Sequence, residues 1–177
     1  MVSNTYTLNF SFGSGIVAKG TGILLNNEMD DFSAKPGEPN AFGLLGGEAN
    51  SVQPKKRPLS SMTPTMVFKD GKPYFATGSP GGSRIITTVL QVILNIIDHD
   101  MNVSEASHVP RMHHQWYPEE LYIEKGISHD TQSLLRGKGH RVKYRSAMGS
   151  TQTIMIRDGY IFGSTDPRRP DGSCVGY

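Results

Sequence analysis

The chain opens on Ser3-Asn4-Thr5-Tyr6-Thr7-Leu8-Asn9-Phe10-Ser11-Phe12, a run of β-branched and aromatic residues that alternates in character. That pattern predicts a strand ending at Gly13-Ser14-Gly15. A second strand is expected over residues 16–25, its apolar end followed at once by Asn26-Asn27-Glu28-Met29-Asp30-Asp31. Residues 33–59 are rich in proline and glycine and show little periodicity, which predicts a long ordered loop of the kind that covers a site. Residues 65–68 and 74–77 read as a hairpin turned at Asp70-Gly71. Ile85, Ile86, Val89, Leu90, Ile93, Ile96 and Ile97 recur at helical spacing, predicting a buried helix over about 84–99, entered through Gly78-Ser79-Pro80-Gly81-Gly82-Ser83. Further helices are expected at 103–108, capped by Asn102 or Ser104, and at 130–137. Strands are expected at 121–124, 141–145, 151–157 and 160–163, the last two joined by Asp158-Gly159. Strands at both ends with helices between predict a layered α/β sandwich of mostly antiparallel strands.

Composition narrows the partners. A length of 177 residues suits one domain with a buried core. Lys plus Arg number 18 against 16 Asp plus Glu, so no basic footprint for nucleic acid or a membrane surface stands out. The most apolar stretch, Ile85–Ile97, falls short of the roughly 20 residues that a bilayer span requires. The start has neither the basic nor the apolar region of a secretory signal. A single cysteine, Cys174, excludes an internal disulfide.

Several residue groups carry candidate chemistry. A helix N-terminus offers unpaired N–H groups, and Gly81-Gly82 would let a ligand oxygen reach them, as an oxyanion hole, a phosphate site or simply a tight turn. The Walker pattern fails because Gly82 is followed by Ser83-Arg84. Glu28, Asp30 and Asp31 repel one another, which suits a bound ammonium, a metal or a solvated acidic turn. Strand alternation would place Asp31 with Met29 on one face and Asp30 with Glu28 on the other. Ser60-Ser61 lacks a Gly-x-Ser-x-Gly elbow and a Ser-x-x-Lys motif, so these hydroxyls are expected to donate rather than attack. Thr7 and Asn9 share a face of the first strand. His113-His114 on an extended chain would point apart, and no His-Glu-x-x-His or Cys-x-x-Cys accompanies them, so no metal is expected.

Taken together, Tyr6-Thr7-Leu8-Asn9, Asn26-Asn27-Glu28-Met29-Asp30-Asp31-Phe32-Ser33, Arg57-Pro58-Leu59-Ser60-Ser61-Met62 and Gly78-Ser79-Pro80-Gly81-Gly82-Ser83-Arg84 resemble the small subunit of γ-glutamyltranspeptidase. Pro110-Arg111-Met112-His113-His114-Gln115-Trp116, Met148-Gly149-Ser150-Thr151-Gln152 and Ser164-Thr165-Asp166-Pro167-Arg168 extend the resemblance along the chain. It implies the αββα sandwich of N-terminal nucleophile hydrolases, in which a threonine hydroxyl is activated by its own α-amine. The reaction implied is γ-glutamyl transfer from glutathione and related compounds to water or to an amino acid or peptide amine, without a cofactor. By the same resemblance Thr7 supports the nucleophile, and Asn9, Glu28 and Asp31 bind the amino and carboxylate ends of the glutamyl group. Ser60 and Ser61 hold its carboxylate, and Gly81 with Gly82 form the oxyanion hole. Residues 36–47, carrying Phe42, match a lid within the substrate-covering loop 33–59. Residues 1–177 are then one partial domain, completed by the large subunit of the same precursor. The family's nucleophile would stand ahead of Met1, so this chain is expected to lack it and to be inactive alone, with a noncatalytic glutamyl-binding remnant as the alternative. Family members face the periplasm or the outside of the cell.

Overall fold

The computed structural model describes residues 8–176, which form two compact units, residues 8–61 and 62–176.

In residues 62–176 the two Asp-Gly dipeptides set the topology. Asp70 and Gly71 have φ of 51° and 74°, and Asp158 and Gly159 have 52° and 80°. Positive φ at both central residues is the type I′ geometry whose twist matches an antiparallel pair. The first turn joins β1 (Thr65–Lys69) to β2 (Lys72–Gly78). The second joins β6 (Gln152–Arg157) to β7 (Tyr160–Thr165), and all four strands form one antiparallel sheet ordered β1-β2-β6-β7. Alternation buries Phe75 and Thr77 of β2 and Thr153 and Met155 of β6 on one face. There Phe75 and Met155 pack with Val92 and Ile96 of α1 (Ile85–Ile97) and with Val103 and Ala106 of α2 (Val103–His108). A capping box starts α2: Asn102 Oδ1 accepts from Glu105 N, and Glu105 Oε2 accepts from Asn102 N. β3 (Met112–His113), β4 (Leu121–Ile123) and β5 (Val142–Tyr144) make a second sheet, antiparallel and then parallel. Helix α3 (His129–Gly137) begins where Ser128 Oγ accepts from Thr131 N.

Helix α1 corrects one expectation. Its apolar residues do not all face inward: Val89 and Val92 are buried, but Ile86, Leu90, Leu94 and Ile97 are exposed. Two apolar stripes wind round one helix, and this chain covers one of them.

The unit of residues 8–61 departs further. Residues 9–14 turn instead of extending as a strand. Phe10 and Gly13 have φ of 59° and 53°, and the Asn9 N–H donates to a side chain, Asn27 Oδ1, at 3.0 Å rather than to a strand partner. The expected strand over 16–25 is folded on itself, because Gly20 and Gly22 take positive φ and return the chain. Only the Val17–Leu24 bridge forms, flanked by Ala18 N to Ile23 O and Leu25 N to Ile16 O, both 2.8 Å.

Candidate functional site

The acidic segment is a 3-10 helix, Glu28–Asp31, and not a strand end. Asparagines cause this: Asn26 Oδ1 accepts from Glu28 N at 3.0 Å, an Asx turn that starts the coil. Asn27 Nδ2 donates to Asp30 Oδ2 at 2.9 Å and draws that carboxylate to one side. With three residues per turn, side chains at i and i+3 eclipse. Glu28 and Asp31 therefore stand together, contrary to the faces expected from strand alternation. Burial pushes the Glu28 carboxyl above its ordinary range, and the adjoining Asp31 pushes it further. Ser61 Oγ, donating to Glu28 Oε2 at 3.0 Å, works the other way.

Asn50, which carried no expectation in the sequence, braces this arrangement. Its Nδ2 donates to Asp31 O at 2.6 Å and its Oδ1 accepts from Leu59 N at 3.0 Å, tying the acidic helix to the Ser60-Ser61 segment. An asparagine between prolines in a loop gives no sequence signal for this, since both partners are backbone atoms reached only in the fold. Three buried polar atoms here have no hydrogen-bond partner among the described residues: Asn9 Nδ2, Asp31 Oδ2 and Ser33 Oγ. Buried polar groups without partners are costly, so a donor and an anionic acceptor left open in one small unit mark a place for a ligand with complementary groups. Loop 36–47 is ordered beside them as a small hairpin, with Gly37 N donating to Gly46 O at 2.8 Å and a Pro39–Leu45 bridge. Phe42 on that loop stacks on Phe10, ring centroids 5.9 Å apart. Ser60 is exposed, and Thr7 lies outside the described residues.

In residues 62–176 the glycine turn precedes α1 as expected. Gly81 and Gly82 have φ of 146° and 57°, conformations that L side chains rarely adopt. The turn is held from beneath: Ser79 Oγ accepts from Ser150 N at 2.9 Å, and a Cβ on Gly81 would lie 3.5 Å from Gly149 Cα. The Met148-Gly149-Ser150-Thr151 segment is in turn fixed by a buried ion network that sequence reasoning did not assign. Glu124 accepts from Met148 N at 2.6 Å, Arg111 N at 2.9 Å and Arg168 Nε at 2.8 Å. Asp166 accepts from Thr151 N at 2.8 Å and pairs with both Arg111 and Arg168. Burial by itself would raise both carboxyls, but the arginines and backbone N–H groups hold them below their ordinary range. The visible hint in the sequence was Asp166-Pro167-Arg168, where proline fixes two opposite charges at short spacing.

The histidine pair diverges. His113 is buried, with Nδ1 2.7 Å from Thr87 Oγ1 and Nε2 2.8 Å from Gln115 Oε1, whereas the His114 ring meets His140. Among the described residues no group of three or more His, Cys, Asp or Glu could hold a metal ion, and no helix is long and apolar enough to cross a membrane.

Comparison with known proteins agrees with the geometry. A family model for gamma-glutamyltranspeptidase matches residues 1–176. The chain is 62% identical over 177 residues to a glutathione hydrolase proenzyme of Escherichia coli and spans 30% of its length. It is 41% identical over 179 residues to the Bacillus subtilis glutathione hydrolase proenzyme, spanning 28% of that protein. Among solved structures, a mutant gamma-glutamyltranspeptidase of Helicobacter pylori superposes with a TM-score of 0.88 at 54% identity, covering 95% of this chain and 93% of that one. The Pseudomonas nitroreducens gamma-glutamyltranspeptidase gives 0.88 at 42% identity, covering 99% and 93%. The mixed α/β fold is thus that of these N-terminal nucleophile hydrolases, and the chain belongs to the gamma-glutamyltranspeptidase family.

Proposed function

We propose that this chain binds the glutamyl group and stabilises the oxyanion in γ-glutamyl transfer from glutathione-like donors to water or to an amino acid or peptide amine. The observation that carries it is two unsatisfied buried groups: Asp31 Oδ2, beside Glu28 on one eclipsed 3-10 turn, and Nδ2 of Asn9, whose backbone N–H donates to Asn27 Oδ1. An α-ammonium supplies the donor that Asp31 Oδ2 lacks and a charge for Glu28 beside it, and an α-carboxylate or carbonyl supplies the acceptor for Asn9. Ser60 and Ser61 add hydroxyl donors for the carboxylate, with Ser61 able to turn from Glu28 when an ammonium takes its place. Residues 36–47 cover the bound group, with the Phe42–Phe10 stack as the clasp.

The chemistry asked of the glycine turn is electrostatic. Attack on a γ-amide places negative charge on the carbonyl oxygen, and preorganised N–H donors at Gly81 and Gly82 stabilise it; losing one such donor typically costs about 10²–10³ in rate. The nucleophile of this family is a threonine that becomes acylated; Thr7 supports it, and the large subunit of the precursor is the partner.

Titration calorimetry tests this. L-Glutamate binds saturably, whereas glutarate, which lacks the ammonium, and the Asp31→Asn variant with glutamate show no comparable heat. No heat from glutamate at millimolar concentration, or equal heat from glutarate, refutes the assignment.

A further inference from the structure

Half-buried Asn50 stands where three segments of the unit of residues 8–61 meet, and each of its polar groups has a partner on one of them. Its Nδ2 donates to Asp31 O at 2.6 Å and its own carbonyl accepts from Ser33 N at 2.9 Å, so two bonds run to the acidic segment. Its N–H donates to Gly47 O at 3.0 Å, at the end of the covering loop. Its Oδ1 accepts from Leu59 N at 3.0 Å, one residue before Ser60. The loop lies close at the same corner, since a Cβ on Gly46 would come 2.8 Å from Ser33 Cβ.

Amide resonance makes the Asn50 side-chain head one planar group, so its two bonds fix how far Asp31 O stands from Leu59 N. Asp31 carries the open carboxylate oxygen, Oδ2, and Leu59 leads into the two serine hydroxyls. A second tie, Ser61 Oγ to Glu28 Oε2 at 3.0 Å, joins two side chains and is given up when an ammonium takes its place beside Glu28. The side-chain bonds of Asn50 end on backbone atoms instead, and a ligand that occupies Asp31 Oδ2 and the serine hydroxyls leaves them intact. An anion and a set of donors held at one separation select by geometry. A ligand whose charged groups are spaced differently must leave one of these partners unpaired, which is costly in a buried site.

We infer that Asn50 is a positioning residue that sets selectivity. By holding the acidic turn and the serine segment at one separation, it makes the pocket prefer a head whose ammonium and carboxylate share one carbon, an α-amino acid, over isomers that space them further apart. This rests on the glutamyl-binding reading of Asp31, Ser60 and Ser61. Asn50 acts through the backbone of Asp31 and Leu59 and not through a contact of its own with the ligand.

Calorimetry on the full protein compares L-glutamate with 3-aminopentanedioate, the same diacid with its ammonium moved one carbon along. Wild type binds L-glutamate more tightly, by about thirtyfold. In Asn50→Ala the L-glutamate Kd rises about tenfold while that of the isomer moves less than about threefold, so the preference shrinks. A merely structural role would lower the binding stoichiometry for both ligands and leave the ratio of their Kd values where it was. Asn50→Asp keeps an acceptor for Leu59 N but has no donor for Asp31 O. It therefore shrinks the preference as alanine does, while hydrogen exchange finds the Leu59 amide as protected as in wild type; if alanine does not fold, this variant decides by the same ratio. An unchanged ratio in either folded variant, or a wild type that binds both isomers equally, overturns the role of Asn50 and leaves the glutamyl reading standing. A wild type that binds no glutamate overturns that reading and this inference with it.

Discussion

Glu124→Ala removes one carboxylate from the network beneath the glycine turn, and the structure sets the size of the effect. The carboxylate accepts from two buried backbone N–H groups, Met148 and Arg111, and from Arg168 Nε and Nη2. Alanine orphans both backbone donors, at about 1–3 kcal/mol each, and leaves Arg168 with one carboxylate, Asp166, and the Ser107 and Val109 carbonyls. Because breaking a buried pair by deleting one partner costs about 3–5 kcal/mol in general, the loss expected is of that order. Glu124→Gln keeps one acceptor oxygen but turns an NH2 toward a donor, so it costs less than alanine and more than about 1 kcal/mol. Urea unfolding followed by circular dichroism gives the midpoint and slope for each variant. Acid adds a second reading. Both Glu124 and Asp166 have folded pKa values below their unfolded ones. Their contribution is fully present above the ordinary carboxylate range of about 4, and it is lost as pH falls through the depressed values. The wild type should therefore lose stability more steeply than Glu124→Gln as pH falls below the ordinary carboxylate range of about 4. A loss under about 1 kcal/mol for alanine with an unchanged slope, or the same acid dependence in both proteins, refutes the reasoning.

Two further outcomes follow from particular contacts. Gly149→Ala places a Cβ 2.7 Å from Ser79 Oγ and 2.9 Å from Thr88 Cγ2, at a φ of +75°, so it destabilises residues 62–176 by about 2–4 kcal/mol and broadens the Gly81 and Gly82 amide resonances; unchanged resonances would show that the turn is independent of the 148–151 segment. Glu28→Gln relieves a carboxylate whose folded pKa is raised. The penalty is absent below the unfolded pKa and complete above the folded one, so the variant is more stable than wild type at pH 7, as urea midpoints will show, while L-glutamate binds it less tightly by calorimetry.

Much of residues 62–176 was legible because its signals are local. Asp70-Gly71 and Asp158-Gly159 specify type I′ turns whatever surrounds them, and the period of Val89, Val92 and Ile96 specifies a helix with a core face. The glycine turn was equally readable, since positive φ at Gly81 and Gly82 is the use to which paired glycines are commonly put. Residues 8–25 misled for the same reason: β-branched and aromatic composition argues for strands, but Asn27 captured the Asn9 N–H and the glycines at 20 and 22 reversed the chain. Propensity weighs residues singly and cannot register a side chain that takes a backbone partner from 18 positions away.

The acidic segment divides the two kinds of information most sharply. By itself the sequence determined that Glu28, Asp30 and Asp31 crowd one short stretch, and that motifs across residues 1–176 mark a family. Which carboxylates face the same way was decided by the tertiary structure. Asn26 and Asn27 coil the segment into three residues per turn, Asn50 pins the end of it, and Ser61 arrives from 33 residues on. The same holds for Arg111, Glu124 and the Asp166–Arg168 pair, three places far apart in the chain that become one buried network only when β7, α2 and the 148–151 segment pack together. Local periodicity fixes an element, whereas a site needs groups from distant positions brought within a hydrogen bond's length, and only packing supplies that.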